Sequence, residues 1–495
     1  MDEKVLFQNQ QPQPQQPLTP PVQPVSPPPP PASAPLSSAP PTPPPPIASG
    51  FFSRGIVKLV IGVAAVLVIF FVSIFFVLPL FNKGDKEVTL LYWGLWEDER
   101  TMKPILDEFT KQHPNIKISY EKRTKEQYQN SLLARINKGN GPDIFRFHNT
   151  WTPILQKKNY LAPLPTEVIT PKEFEDVYYP VVKSDLLVNG GIYGIPLGID
   201  TLAMFVNTDI LKAGAYTVPT SWIDFEKVVG VQGGSGVTVR DADGAIVTAG
   251  TALGTFNNVT HAPDIVSLFL VQNGADIYRL TSTAGVAGDA LSYYTKFASG
   301  EERAWDSTLD PSLLAFTQGR LAIYFGYSWD IFTIKSRAPD LKFSIHPVPN
   351  LGKKMTIASY WVEGVSAKSS HQNEAFTFMQ YLAKKETQQK FYELAAKSRS
   401  KDAQFGPPYA RRDLGETLKD NELVYPFVQQ ADGAVSSFFA SDTHDPYNDG
   451  LNAYLGVAVD GVRGNKSPES AIEELQKGVN QILTKYELIT PTGNP

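Results

Sequence analysis

The pattern of apolar and polar positions divides the chain into three stretches. Residues 1–50 show neither the two-residue period of strands nor the 3.6-residue period of helices. From Leu59 to Phe81, 23 consecutive residues are uncharged, and all but Gly62, Ser73 and Pro79 are apolar. At 1.5 Å per residue that is about 34 Å of helix, enough to cross a bilayer core of about 30 Å. The pattern therefore predicts one transmembrane helix over 56–81. A cleaved secretory signal would have a shorter apolar run, close to the first residue and followed by a small-x-small site. Here Leu78-Pro-Leu-Phe-Asn-Lys83 follows instead.

After the apolar run, strand and helix periods alternate. Val88 to Tyr92 reads as a short strand bounded by Gly94, and Met102, Ile105, Leu106 and Phe109 fall on one helical face that must end before Pro114. Ile116 to Tyr120 is the next strand. Thr124 with Gln127 gives a capping-box signal, and Tyr128, Leu132, Leu133 and Ile136 follow at helical spacing. Gly139 and Gly141-Pro142 stop that helix, and Asp143 to Phe147 is a third strand. This βαβαβ order predicts a parallel sheet with any ligand at the carboxyl ends of its strands. Further on, Gly194–Leu197, Ala203–Val206, Leu321–Phe325 and the region of Ser359–Val362 read as strands. Asp310 caps a helix opened by Pro311, and 373–397 is helical. Asp241-Ala-Asp243-Gly244 has the start of a calcium loop but lacks its remaining ligands, and reads as a turn.

Composition sharpens this picture at the N-terminus. Residues 1–50 hold 18 of the 41 prolines and only Asp2, Glu3 and Lys4 as charges. Such a stretch cannot bury enough apolar surface to offset chain entropy, which predicts a disordered Pro/Gln-rich arm. Arg54 and Lys58 precede the apolar run, and Lys83 and Lys86 follow it, so basic residues barely orient it. The short arm, which need not be translocated, places the N-terminus in the cytoplasm. The expectation is a single-pass cell-membrane protein with residues 85–495 extracellular. A net charge of −5 argues against nucleic acid as a partner. The absence of cysteine excludes disulfides, a thiol nucleophile, Cys-ligated zinc and a Cys-borne acyl anchor. Six scattered histidines show no metal-ligand spacing.

The expected carboxyl ends of the first strands carry Trp96-Glu97 and Asn149-Thr150-Trp151, aromatic faces beside polar groups. Asp200, among apolar neighbours, must be hydrogen-bonded, paired or face a cleft, because burying it alone costs several kcal/mol. Trp222 reads as a helix-start packing residue and Trp305 as core or loop.

Nine short patterns, in order, resemble the extracellular solute-binding proteins of sugar ABC transporters, the maltose-binding-protein-like family 1. They are Leu91-Tyr-Trp-Gly-Leu-Trp-Glu97, His113-Pro-Asn-Ile116, Gly139-Asn-Gly-Pro-Asp-Ile-Phe145, Tyr193-Gly-Ile-Pro-Leu197 with Asn207-Thr-Asp-Ile-Leu211, and Pro219-Thr-Ser-Trp222 with Phe225. Gln272-Asn-Gly-Ala275, Phe316-Thr-Gln-Gly319, Gly326-Tyr-Ser-Trp329 and Pro407-Pro-Tyr-Ala-Arg411 complete the series. The resemblance implies an α/β, two-lobed, periplasmic-binding-protein-like (type II) ectodomain over 86–495. Lobe one would be about 86–198 plus 364–400, and lobe two about 200–358 plus 405–495. Crossings would fall near Ile199–Thr201, Ser359–Gly364 and 400–405.

It also implies ligand-binding roles for Trp96, Glu97, Asn149, Trp151, Asp200, Trp329, Tyr360, Trp361, Glu363 and Arg411, the last of which has a structural alternative. The expected function is capture of a mono- or oligosaccharide and its delivery to an ABC permease, without catalysis, cofactor or metal. A sensor ectodomain, a scaffold or a binder of a non-sugar solute remains open. A glycosidase would need a carboxylate pair such as Glu97 with Asp200 or Glu363 at a separation sequence cannot measure.

Overall fold

The computed structural model describes residues 86–490 except 232, 234, 235, 351 and 400. The arm at 1–50 and the span expected over 56–81 lie outside the described residues. All of the described chain belongs to the compact unit Gly84–Pro495.

Two five-stranded sheets, each covered by helices, form two lobes. In the first sheet the order is Ile116–Lys122, Val88–Gly94, Ile144–His148, Trp361–Val365, Ile195–Pro196. Its first three strands are parallel, as the βαβαβ pattern predicts, and helices Glu99–Gln112 and Tyr128–Asn137 connect them. Met102, Ile105, Leu106 and Phe109 form the buried stripe of the first of those helices. Trp361–Val365 runs antiparallel and sets Trp361 opposite His148 and Glu363 opposite Arg146. Residues separated by more than 200 positions thereby become neighbours on adjacent strands.

The second sheet is ordered Phe343–His346, Ala203–Asn207, Leu321–Gly326, Ile246–Thr251, Val239–Arg240. Ala203–Asn207 is antiparallel to both of its neighbours, and Leu321–Gly326 lies parallel to Ile246–Thr251. Helices Ala262–Asn273, Ala284–Lys296, Pro446–Arg463 and Pro468–Lys485 pack together beside it.

Between the sheets, Asp200–Thr201 pairs antiparallel with Thr356–Ser359, and Ala434–Val435 adds a third strand. Two chain segments, Asp200–Thr201 and Thr356–Ser359, thus run side by side between the sheets. The single strand expected over Ser359–Val362 is in fact two, because the chain changes sheet at Tyr360. Gly198 lies so close to the Pro407-Pro408 segment that a Cβ there would sit 2.6 Å from Pro407.

Several local expectations give way to context. Gln127, the N-cap of helix Tyr128–Asn137, sits at φ 56° with no side-chain cap, so the capping box does not form. Asp310 does not cap: the helix is Ser312–Thr317 with Pro311 at its N-cap, and Asp310 pairs with Arg320. Asp241 accepts hydrogen bonds from the backbone of Asp243 and Ala245, closing a hairpin turn. Trp222 and Trp305 are buried, as their contexts suggest.

The expected localisation requires correction. Among the described residues no helix is long and apolar enough to cross a membrane. The two longest, Pro446–Arg463 and Pro468–Lys485, are amphipathic and carry charges such as Asp449, Asp460, Glu473 and Lys477. The single-pass localisation with a cytoplasmic N-terminus is not retained, since the span on which it rests, 56–81, lies outside the described residues.

Candidate functional site

The crossings floor a cavity of about 490 Å³ between the two sheets. This volume falls in the usual range for small-molecule sites. Trp96, Glu97, Asp200, Trp329, Tyr360 and Trp361 all line it. Trp96 and Glu97 lie just past the end of Val88–Gly94, and Trp329 follows Leu321–Gly326.

The aromatic groups have defined orientations. Trp361 meets Trp96 edge-on at 5.5 Å between ring centroids, and rests against His148 at 5.1 Å and Trp151 at 5.5 Å. Trp96 is 41% exposed and Trp361 half-buried, so both present surface to an incoming ring. In the second lobe, Trp329 stacks on Tyr327 at 4.3 Å and 17°. Such faces suit the apolar C–H face of a polyhydroxylated ring.

The polar groups are anchored. Asp200 Oδ2 accepts from the Ser328 backbone N–H at 3.0 Å and from its hydroxyl, and Oδ1 accepts from Thr201 N–H at 3.0 Å. Burial pushes its carboxyl up to about 8, against the pull of those donors. The sequence argument that Asp200 needs partners is thus met by a hydrogen-bonded position in the cleft. Arg146, from the middle of Ile144–His148, lies between two glutamates. Its Nε donates to Glu363 Oε1 at 2.6 Å, and Nη1 donates to Glu97. Burial opposes the guanidinium charge, but Glu363 and Glu97 more than offset it, so the group is held charged. Glu97 consequently reaches the cavity with one oxygen already engaged.

Four candidates stand behind the wall or elsewhere. Asn149 donates to Asp185 and Ser436 and accepts from the Tyr360 N–H, so it fixes Tyr360. Tyr360 in turn donates to Asp185 Oδ2 at 2.6 Å. Trp151 is buried with its N–H donated to Asp445 at 2.7 Å. Glu363 is buried behind Arg146. Arg411 holds Asp413 and the Ala383 carbonyl, a structural arrangement. The residues of the glycosidase alternative are equally committed, Glu97 and Glu363 to Arg146 and Asp200 to Ser328.

Comparison with known proteins decides the family. The profile of the bacterial extracellular solute-binding proteins matches residues 105–401, more than half of the chain. The chain belongs to that family. Its members are binding proteins, so this solute-binding protein is not an enzyme. It is 23% identical over 330 residues to the "Multiple sugar-binding protein" of Streptococcus mutans, covering 63% of this chain and 75% of that one. It is also 23% identical to an "Uncharacterized lipoprotein" of Streptomyces antibioticus, covering 60% and 67%. Among solved structures, the sugar-binding protein MalE from Xanthomonas citri superposes with a TM-score of 0.65 at 20% identity, covering 82% of this chain and 100% of that one. A cyclo/maltodextrin-binding protein complexed with maltotetraose gives 0.64 at 17%, covering 81% and 98%. At these identities the superpositions establish the two-lobed fold.

In this solute-binding protein the cavity also takes residues that sequence reasoning did not single out: Lys125, Arg146, Ser328, Arg399, Asp442 and His444. Arg146 had a signal, a lone charge inside the apolar run Ile144-Phe-Arg-Phe147. Asp442 and His444 come from a polar loop whose place only the fold reveals. Arg399 lies over the Phe332 ring at 4.2 Å and donates to the Phe405 carbonyl.

Proposed function

We propose that this solute-binding protein captures a carbohydrate in the interlobe cleft and delivers it to an ABC importer. The observation that carries the reading is the pairing of three tryptophan faces, Trp96, Trp329 and Trp361, with anchored polar groups around one cavity of about 490 Å³. Aromatic faces take the C–H side of a sugar, while carboxyl and hydroxyl groups exchange hydrogen bonds with its rim. The named sugar-binding relative supports the same reading. Trp96, Glu97, Asp200, Trp329, Tyr360 and Trp361 would touch the ligand, with Asn149, Trp151 and Glu363 positioning them. Arg411 would be a structural residue.

The proposed lobes are 86–198 with 364–400, and 200–358 with 405–495. The crossings at Asp200–Thr201 and Ser359–Trp361 would serve as the hinge on which the lobes close over the sugar. The test is a thermal-shift screen of the purified protein against mono- and oligosaccharides, with amino acids, polyamines and oxyanions as controls. A ligand at 100 times its Kd adds about 2.7 kcal/mol to stability. A sugar hit is expected. Hits confined to the controls would discard the sugar.

A further inference from the structure

We propose that the His261 side chain is a positioning residue that holds both second-lobe walls of the cleft, the Tyr327–Asp330 turn carrying Trp329 and the Ser441–Asp445 loop carrying Asp442 and His444. It does not itself line the cavity. The proposal rests on the cleft being the ligand site.

His261 is 1% exposed and sits just before helix Ala262–Asn273. Its Nε2 lies 2.9 Å from Asp330 Oδ2, and its Nδ1 lies 2.8 Å from Ser441 Oγ and 3.6 Å from Asp442 Oδ2. One ring therefore reaches both walls at once. The same Asp330 oxygen accepts from the Tyr324 hydroxyl at 2.9 Å and from the Tyr327 N–H at 3.0 Å, which closes the turn that aims Trp329. Gly326 makes the approach possible, since a Cβ there would lie 2.3 Å from that oxygen. Asp264, one turn along the same helix, repeats the device. It accepts from the Tyr327 hydroxyl at 2.8 Å and from the Ser441 N–H at 3.0 Å.

The loop needs such support. Asp442 and His444 both adopt left-handed backbone, φ 56° and 55°, a conformation that persists only where the surroundings enforce it. Its far end is held separately by Asp445, through Trp151 and the Tyr447 and Asn448 amides.

The groups facing the ring are Tyr324 from the sheet, Tyr327 and Asp330 from the turn, Asp264 from the helix that His261 precedes and Asp442 from the loop. Burial works against a charge on the imidazole, but the carboxylates, Asp330 foremost, outweigh it and raise its pKa to about 9. The ring is then a double donor at neutral pH, able to serve an acceptor on each side. A neutral ring donates on one side only.

The experiment compares the purified protein with its His261→Gln and His261→Ala variants. Histidine side-chain NMR should find both His261 ring nitrogens hydrogen-bonded at pH 7.5, and a nitrogen left without a partner would overturn the proposal. Hydrogen exchange at pH 7 should accelerate at least tenfold for the amides of Tyr327, Ser328 and Ser441–Asp445 in both variants, while those of Ile144–His148 keep their rates. Unchanged or uniformly raised exchange in the glutamine variant would refute it, whether or not the alanine variant folds. Maltotriose and maltotetraose are the probes for affinity. Where one binds, Kd should rise at least tenfold in the glutamine variant. Failure of both to bind the wild type would count against the proposed sugar, while exchange and NMR would still decide the role of His261.

Discussion

Replacing Arg146 by methionine tests whether the base of the cleft is held by charge pairing. The substitution keeps an unbranched side chain but leaves Glu97 and Glu363, 8% and 1% exposed, facing each other without their cation. Breaking a buried pair by removing one partner costs about 3–5 kcal/mol. Globular proteins unfold with about 2.1 cal/mol/K per residue, which for roughly 400 residues is about 0.85 kcal/mol/K. The melting temperature should therefore fall by about 4–6 °C at pH 7. The deficit should shrink towards pH 5, because two uncompensated carboxylates relieve their repulsion by taking up a proton. Arg146→Met combined with Glu97→Gln and Glu363→Gln should recover most of the loss, since an uncharged cluster has no unpaired ion to desolvate. Calorimetry of the single and triple variants at two pH values makes the measurement. A drop below about 1 °C, or a triple variant no better than the single one, would refute the claim that the pairing is energetically coupled.

Two further outcomes follow from the same geometry. Trp329→Ala or Trp361→Ala should weaken sugar binding by more than about 1 kcal/mol, roughly fivefold, with the fold retained by circular dichroism; titration calorimetry decides, and unchanged affinity in both variants removes these rings from the site. Asp200 has its folded-state pKa raised by burial from 3.8 to about 8, so the folded protein holds this proton more tightly than the unfolded chain between those values. Its contribution to stability therefore falls as pH rises through that window, and Asp200→Asn should remove that slope from a series of melting temperatures between pH 5 and 9. Parallel profiles for the two proteins would contradict the assignment.

The order of elements was legible because it depends on short-range information. Residues 88–147 show the strand and helix periods directly, and a βαβαβ order admits few topologies once parallel strands and right-handed crossovers are required. The same information marked Trp96 and Trp151 as polar-flanked aromatics after strand ends, whereas Trp329 and Trp361 were pointed to by the family resemblance. It marked Asp200 as a carboxylate needing partners. Local signals did not always translate into structure. Thr124 and Gln127 have the spacing of a capping box, but Gln127 adopts left-handed backbone with no side-chain cap.

Sequence by itself therefore determined the α/β alternation and the residue types that can meet a sugar. Tertiary structure decided which of those residues reach the cavity. Asn149 and Trp151 lie one turn past the correct strand, yet face Asp185 and Asp445 instead. Arg146 and Glu363, 217 positions apart, meet because antiparallel register places them opposite each other. His261 finds Asp330 and Ser441 through the packing of three separate segments. The period of one strand or helix fixes which face a side chain occupies. Its partner across the gap depends on register and on how the elements pack, and neither is encoded within a single stretch of chain.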